Sequence, residues 1–153
     1  MIKLGIPEFA AHMFIFYYAV LSEVSPPTAL APFAAAAITG GNPYKTTMMA
    51  WKYTAPAFLV PFMFTLHPDG VGLLLKGEFG TMLWTTLTAL VGLAALAAGL
   101  TGWLLGKTSY LERGLMIVAG LVLVYPSLLQ DVIGLALFGM AVFMQYRRRH
   151  LAG

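Results

Sequence analysis

The sequence predicts an all-α, polytopic integral membrane protein of about five spans, the first a discontinuous helix broken at Ser25-Pro26-Pro27. Three observations predict it. Of 153 residues, 59% are hydrophobic and 10% are charged, with mean hydropathy +0.81, whereas soluble domains carry about 25% charged residues. Apolar runs recur at lengths that suit a bilayer, whose hydrocarbon core of about 30 Å takes roughly 20 helical residues. The first of these runs, Phe9 to Ile38, carries a polar, proline-rich interruption, Ser22-Glu23-Val24-Ser25-Pro26-Pro27-Thr28.

The interruption has a steric cause. Adjacent prolines remove two N–H donors, and their rings clash with carbonyls one turn earlier. Pro26 also drives Ser25 out of the α region. The first segment therefore divides into Phe9–Val24 and Pro27–Thr39, with Pro27 suited to a first helical turn. Free carbonyls are left at one helix end and free N–H groups at the other, with the hydroxyls of Ser22, Ser25 and Thr28 between them. At membrane depth such backbone has to be buried in protein or line a polar cavity. Two pieces of about 15 and 12 residues stack to about 40 Å, which fits one broken crossing.

Gly40-Gly41-Asn42-Pro43-Tyr44 reads as a turn. The second segment, about Thr46 to Leu66, carries Pro56 and Pro61 and is expected to kink. Val71–Leu75 with Lys76-Gly77-Glu78 reads as a short interfacial connection. The third segment, Phe79–Leu105, is uncharged, has Trp84 and Trp103 near its ends as interface anchors, and offers Gly92, Ala95, Ala98, Gly99 and Gly102 for close helix packing. The fourth and fifth, about Leu115–Leu129 and Val132–Tyr146, are separated by Pro126 and Gln130-Asp131 and read as a tight hairpin of two thin spans.

Charge placement supports that count. With five crossings, Lys45, Lys52, Lys107, Arg113, Arg147, Arg148 and Arg149 share one side, against Lys3 and Lys76 on the other. Merging the last two segments would erase this bias, which sets membrane orientation. The tail Arg147-Arg148-Arg149-His150 is then cytoplasmic. The net charge of +3 belongs to this pattern and not to nucleic-acid binding. The absence of cysteine excludes disulfides, thiolate nucleophiles and cysteine-ligated metals. Gly5-Ile6-Pro7-Glu8 interrupts any signal-peptide core, and the chain reads as beginning partway through a larger protein.

Glu23 sits beside the break near mid-membrane. A carboxylate there costs about 2.5–3.5 kcal/mol and needs a cation, a proton or a polar cavity. Ser22, Glu23, Ser25 and Thr28, with the carbonyls around Val24, form a candidate cation site. The same hydroxyls commonly satisfy backbone next to membrane prolines, a purely structural role. His12 and Tyr17 are candidates for lining a cavity, although a lone membrane histidine more often packs or hydrogen-bonds between helices. His67 and His150 have no partner at metal-ligand spacing. Hydrolase, zincin, P-loop and dinucleotide motifs are absent, so an enzyme would have to be assembled from Ser25, Glu23 and His12.

The run Ala11-His12-Met13-Phe14-Ile15-Phe16-Tyr17-Tyr18 through Ser22-Glu23-Val24-Ser25-Pro26-Pro27-Thr28-Ala29-Leu30-Ala31 resembles the late part of the large membrane subunit of tripartite ATP-independent periplasmic (TRAP) transporters. It is most similar to the fused-permease branch that works with TAXI-type binding proteins. Ala37-Ile38-x-Gly40, Asn42-Pro43 and Pro61-Phe62-Met63-Phe64 continue the likeness. The specific part covers about Gly5–Leu66; beyond it the likeness rests on layout and on Pro126…Asp131-Val132-Ile133-Gly134.

The resemblance implies a division into residues 1–66, the end of a permease transport domain, and 67–153, a C-terminal extension of about three spans. It implies sodium-coupled symport of a small organic anion, mostly a carboxylate in this family, by an elevator movement. Ser25-Pro26-Pro27 would be the broken helix of the second inverted repeat. No cofactor is implied beyond sodium as the coupling ion. The implied partners are membrane lipid, a periplasmic solute-binding protein, and an upstream polypeptide carrying the first repeat and the small-subunit region, all in a bacterial or archaeal cytoplasmic membrane. Alone, such a piece is incomplete. The competing expectation is a non-transporting scaffold subunit, for which the break only bends a helix.

Overall fold

The structure, a computed structural model, describes residue 3 and residues 5–151, with side chains as far as Arg148. The side chains of Arg149 and His150, expected in the basic tail, lie outside the described residues. Regular structure among the described residues is helical, and the only β pairing there is a single bridge between Trp103 and Lys107. The chain divides into two compact units, Met1–Pro61 and Phe62–Gly153.

In the first unit, α1 (Glu8–Leu21) starts behind Pro7, with Glu8 in its first turn, where a carboxylate suits the positive helix end. It tightens into a 3₁₀ turn at Ser22–Val24 and stops. Ser25 is extended at φ −116°, ψ 147°, the conformation that a following proline imposes. The Pro26–Pro27 peptide is cis and Ala29 is left-handed at φ 44°. α2 (Leu30–Thr39) begins only there, three residues later than the sequence suggests. The delay has a local cause: the Thr28 hydroxyl folds back onto the Ser22 carbonyl at the start of the preceding turn, and the Ala29 N–H closes onto the Ser25 carbonyl at 2.9 Å. The first-turn proline is therefore Pro32 and not Pro27.

α2 ends at left-handed Gly40, and α3 (Pro43–Thr54) starts at once. Asn42 caps α3 by accepting the Lys45 N–H at 3.1 Å, with Pro43 in the first turn. α2 packs on α3, and Phe33 meets Tyr44 edge-on at 6.0 Å. The helix loosens into 3₁₀ geometry over Ala55–Leu59 around buried Pro56, then regains one α turn as α4 (Val60–Met63). Prolines five residues apart remove the N–H groups that would have kept it regular.

The second unit opens with buried Met63 and Phe64 and a 3₁₀ segment, Pro68–Leu74. Three helices follow, α5 (Phe79–Thr101), α6 (Tyr110–Val122) and α7 (Leu128–Leu151), with α6 packed against both others. Their bounds correct the sequence reading. α5 ends at Thr101, not Leu105, because Gly102 turns left-handed and the Trp103–Lys107 bridge closes a tight connection. α6 starts at Tyr110, not Leu115: Ser109 and Glu112 form a reciprocal capping box, at 3.3 and 2.8 Å. α7 starts at Leu128, so Gln130 and Asp131 belong to its first turn and not to the connection.

Small residues set the spacing between these helices. Gly92, Ala95, Ala98 and Gly99 are buried on α5, whereas Gly102 ends that helix. A methyl built on Gly120 would lie 2.4 Å from Leu96 Cγ and 2.9 Å from the Gly92 carbonyl, so backbone meets backbone here. Leu83, Leu87 and Leu90, on the opposite side of α5, are each more than half exposed. Phe79–Thr101 and Leu128–Arg148 are long and apolar enough to cross a membrane. α6, with 13 residues, is about 20 Å long and shorter than the hydrocarbon core.

Two candidate sites, a helix interruption and a buried carboxylate

The interruption in the first unit gathers five of the predicted site residues, Ser22, Glu23, Val24, Ser25 and Thr28, within seven positions. Two of its three hydroxyls are engaged. Ser22 Oγ donates to the Ala19 carbonyl at 2.6 Å, and Thr28 Oγ1 donates to the Ser22 carbonyl at 2.6 Å, with a weaker reach to Ser25 at 3.4 Å. Each of these two hydroxyls has thus placed its proton, and what it still offers is lone pairs. The Ser25 hydroxyl makes no hydrogen bond among the described residues.

Backbone acceptors remain as well. Among the described residues the Val24 and Thr28 carbonyls receive no hydrogen bond; for Thr28 the helical partner would be Pro32, which has no N–H. On the other side of the break α2 has no side-chain cap, and among the described residues the N–H groups of Leu30 and Ala31 make no hydrogen bond, while Phe33 donates to the Ala29 carbonyl at 3.1 Å. The Glu23 carboxylate is exposed and has no ion-pair or hydrogen-bond partner among the described residues. A cavity of about 440 Å³ borders the break, lined by Ser25, Pro26, Trp51, Ala55 and Phe58. The break thus leaves both carbonyl acceptors and N–H donors of the backbone unpaired, which is what an ion site at a discontinuous helix uses.

The remaining predicted residues lie elsewhere on α1. His12 is ten positions before Ser22, about 15 Å along the axis, and its Nε2 lies 3.5 Å from the Glu8 carboxylate on an exposed face. It is not brought to Ser25, so the assembly a hydrolase would need is not formed in this structure. Tyr17 is half-buried on α1. Its neighbour Tyr18 ties the helix down: the hydroxyl donates to the Phe58 carbonyl at 2.6 Å, and the ring contacts Phe14 and Phe58.

A second polar centre, in the other unit, escapes sequence reasoning. Asp131 is 2% exposed in the first turn of α7, and its Oδ2 accepts the Trp84 indole N–H at 2.8 Å. Its Oδ1 is buried without a hydrogen bond of normal geometry, although the Thr88 side chain lies beside the carboxylate. One bond to a charged acceptor contributes about 1.5–3 kcal/mol, and the helix N-terminus about 0.3–1 kcal/mol. Burying an ion costs several kcal/mol, and against this the protein sets only neutral partners, the indole, the Thr88 side chain and the helix N-terminus, with no cation. A cavity of about 270 Å³ opens beside it, where α5 and α7 begin, with Asp69, Thr81, Thr85 and Ser127 among its lining. No basic side chain lines it. In sequence, 47 residues separate the indole from the carboxylate, so no local pattern announces the pair.

The opposite end of this unit is basic. Arg113 donates to the Gly99 and Leu100 carbonyls at 3.0 and 3.3 Å, completing the C-terminus of α5. Arg148 pairs with buried Glu112 at 3.2 Å and donates to the Lys107 carbonyl. Gln145, fully buried, holds the same connection through the Gly106 carbonyl at 2.9 Å and the Leu105 N–H at 3.4 Å. The groups of three or more acidic, histidine or cysteine side chains that could hold a metal ion are absent among the described residues.

No curated protein and no solved structure matches the chain. Residues 1–69, the part that contains the interruption, match the family model described as tripartite ATP-independent periplasmic transporter, DctM component, which supports a TRAP permease family for this part of the chain.

Proposed function

We propose that this chain is the C-terminal portion of a TRAP-type permease, importing a small organic anion, in particular a carboxylate, by sodium-coupled symport and an elevator-type movement. It works with an upstream polypeptide that carries the rest of the permease and with a periplasmic binding protein. The observation that carries this reading is the interruption at Ser25–Ala29, inside the family-matched segment, with unpaired carbonyls before it and an uncapped helix start after it. Ser22, Ser25, Thr28 and the Val24 carbonyl supply hard oxygen ligands for sodium, and Glu23 supplies the charge. The single broken crossing is supported by α1 and α2, which do not pack along one another as hairpin arms would. A cytoplasmic C-terminus is supported by Lys107, Arg113 and Arg148, which converge on one end of the second unit while Lys76 precedes α5 at the other.

One observation favours the alternative of a scaffold subunit. The Ser22 and Thr28 hydroxyls already satisfy carbonyls of the break itself, which is what a merely structural bend requires. Uptake by proteoliposomes containing this chain and its upstream partner separates the two. With Glu23→Gln or Ser25→Ala in intact assemblies, a coupling site predicts that more sodium is needed for half-maximal uptake. Native behaviour of both variants would remove the coupling role and favour the scaffold.

A further inference from the structure

We propose that the cavity beside Asp131 is a binding site for a small organic ammonium group, independent of the interruption in the first unit. The argument begins with the protons. The Trp84 indole has spent its N–H on Asp131 Oδ2. Ser127 Oγ donates to Gln130 Oε1 at 2.5 Å, and Thr85 Oγ1 reaches the Asp69 carbonyl at 3.4 Å. His67 Nδ1 accepts the Asp69 N–H at 3.2 Å, so it holds no proton for the Asp69 carboxylate 3.5 Å away. The cavity is lined by acceptors, the carboxylates of Asp131 and of exposed Asp69 with the oxygens of Thr85 and Ser127, and Asp131 Oδ1 lies buried behind this lining without a hydrogen bond. An ammonium is the complement of such a set, having donors only and no acceptor.

Charge and size point the same way. The buried carboxylate has only neutral side-chain partners, Trp84 and Thr88, with a second carboxylate, Asp69, nearby, and no basic side chain of the lining balances it. About 270 Å³ is far more than a bare ion fills, whereas an ammonium with a short carbon stem can set its head on Asp131 and its stem along Pro126, Leu128 and the indole. The ammonium can come from a free amine or from an ethanolamine lipid headgroup, since the cavity lies where two membrane-length helices begin.

The test uses the full chain with Trp51→Phe and Trp103→Phe, which leaves Trp84 as the sole tryptophan of the three. Ethanolamine is titrated at constant ionic strength and pH against sodium chloride, in nanodiscs of phosphatidylglycerol or of phosphatidylethanolamine. A saturable change in Trp84 emission with ethanolamine and none with sodium is expected. Asp131→Asn, which keeps an oxygen for the indole, should weaken it about tenfold or more. The exposed Asp69→Asn should weaken it about threefold without risk to folding. Equal responses in both lipids identify a free amine as the ligand. A response in phosphatidylglycerol that is already saturated in phosphatidylethanolamine identifies the headgroup. No saturable response in either lipid, or one that Asp69→Asn and a folded Asp131→Asn both leave unchanged, overturns the proposal. So does emission that follows pH alone, which would assign the carboxylate to a proton.

Discussion

Replacing Gly120 with alanine tests whether the second unit is held together by backbone approach or by generic apolar contact. The added methyl would lie 2.4 Å from Leu96 Cγ, a branch point with little freedom, and 2.9 Å from the Gly92 carbonyl oxygen, which belongs to α5 backbone. Neither can yield without moving a helix, and overpacking of this kind costs about 1–3 kcal/mol. Alanine also improves helix propensity over glycine by about 0.8–1 kcal/mol. The net expectation is a loss between about 0 and 2 kcal/mol. Gly114 provides the control: it lies on the same helix, and a methyl there meets nothing within 4 Å. Gly114→Ala keeps only the propensity term and should be neutral to stabilising by about 1 kcal/mol. Reversible unfolding of the full chain in mixed micelles, followed by helical circular dichroism, reads both. The Gly120 variant should fall below its control by about 1–3 kcal/mol, and coincident unfolding curves would show that α5 and α6 do not approach as described.

Three further substitutions probe local devices. Tyr18→Phe removes the 2.6 Å hydrogen bond to the Phe58 carbonyl and should cost about 1 kcal/mol, read as faster amide exchange around Phe58. Ser109→Ala breaks the capping box of α6 and should also cost about 1 kcal/mol, measured as a lower unfolding midpoint, with Ser109→Asp retaining most of the native value. At Asn42 the cap on α3 makes alanine cost about 1 kcal/mol but glycine only a few tenths; equal costs for the two would argue against the cap.

The unevenness of what the sequence reveals has physical reasons. That no helix runs through Pro26-Pro27 follows from sterics acting over one or two residues, and Ser25 has the dihedral angles that those sterics dictate. Where the helix restarts is different, because it depends on the Thr28 hydroxyl reaching back six residues to Ser22. Hydropathy locates α5 and α7 but misplaces their ends. Gly102 stops α5 through its own conformation, while α7 begins in the polar stretch that looks like a connection. The start of α6 was legible in Ser109-x-x-Glu112, a capping pattern immediately before an apolar run. Candidate sites divide in the same way. The interruption is contiguous in sequence and so can be read from it, whereas the Trp84–Asp131 pair exists only because α5 and α7 begin at the same end of a bundle.

Ala29 carries a consequence for which sequences this fold can accept. Its φ of 44° places it where a branched or bulky side chain collides with its own backbone, and only small or asparagine-like residues enter that region readily. Its 1% exposure then rules against asparagine and aspartate, whose polar ends would be buried without partners. Conformation and burial together reduce the permitted alphabet at this position to glycine and alanine. In a library saturated at residue 29 and sorted for folded protein, those two letters should dominate, while exposed positions on α1, such as Ile15 and Phe16, accept most apolar residues.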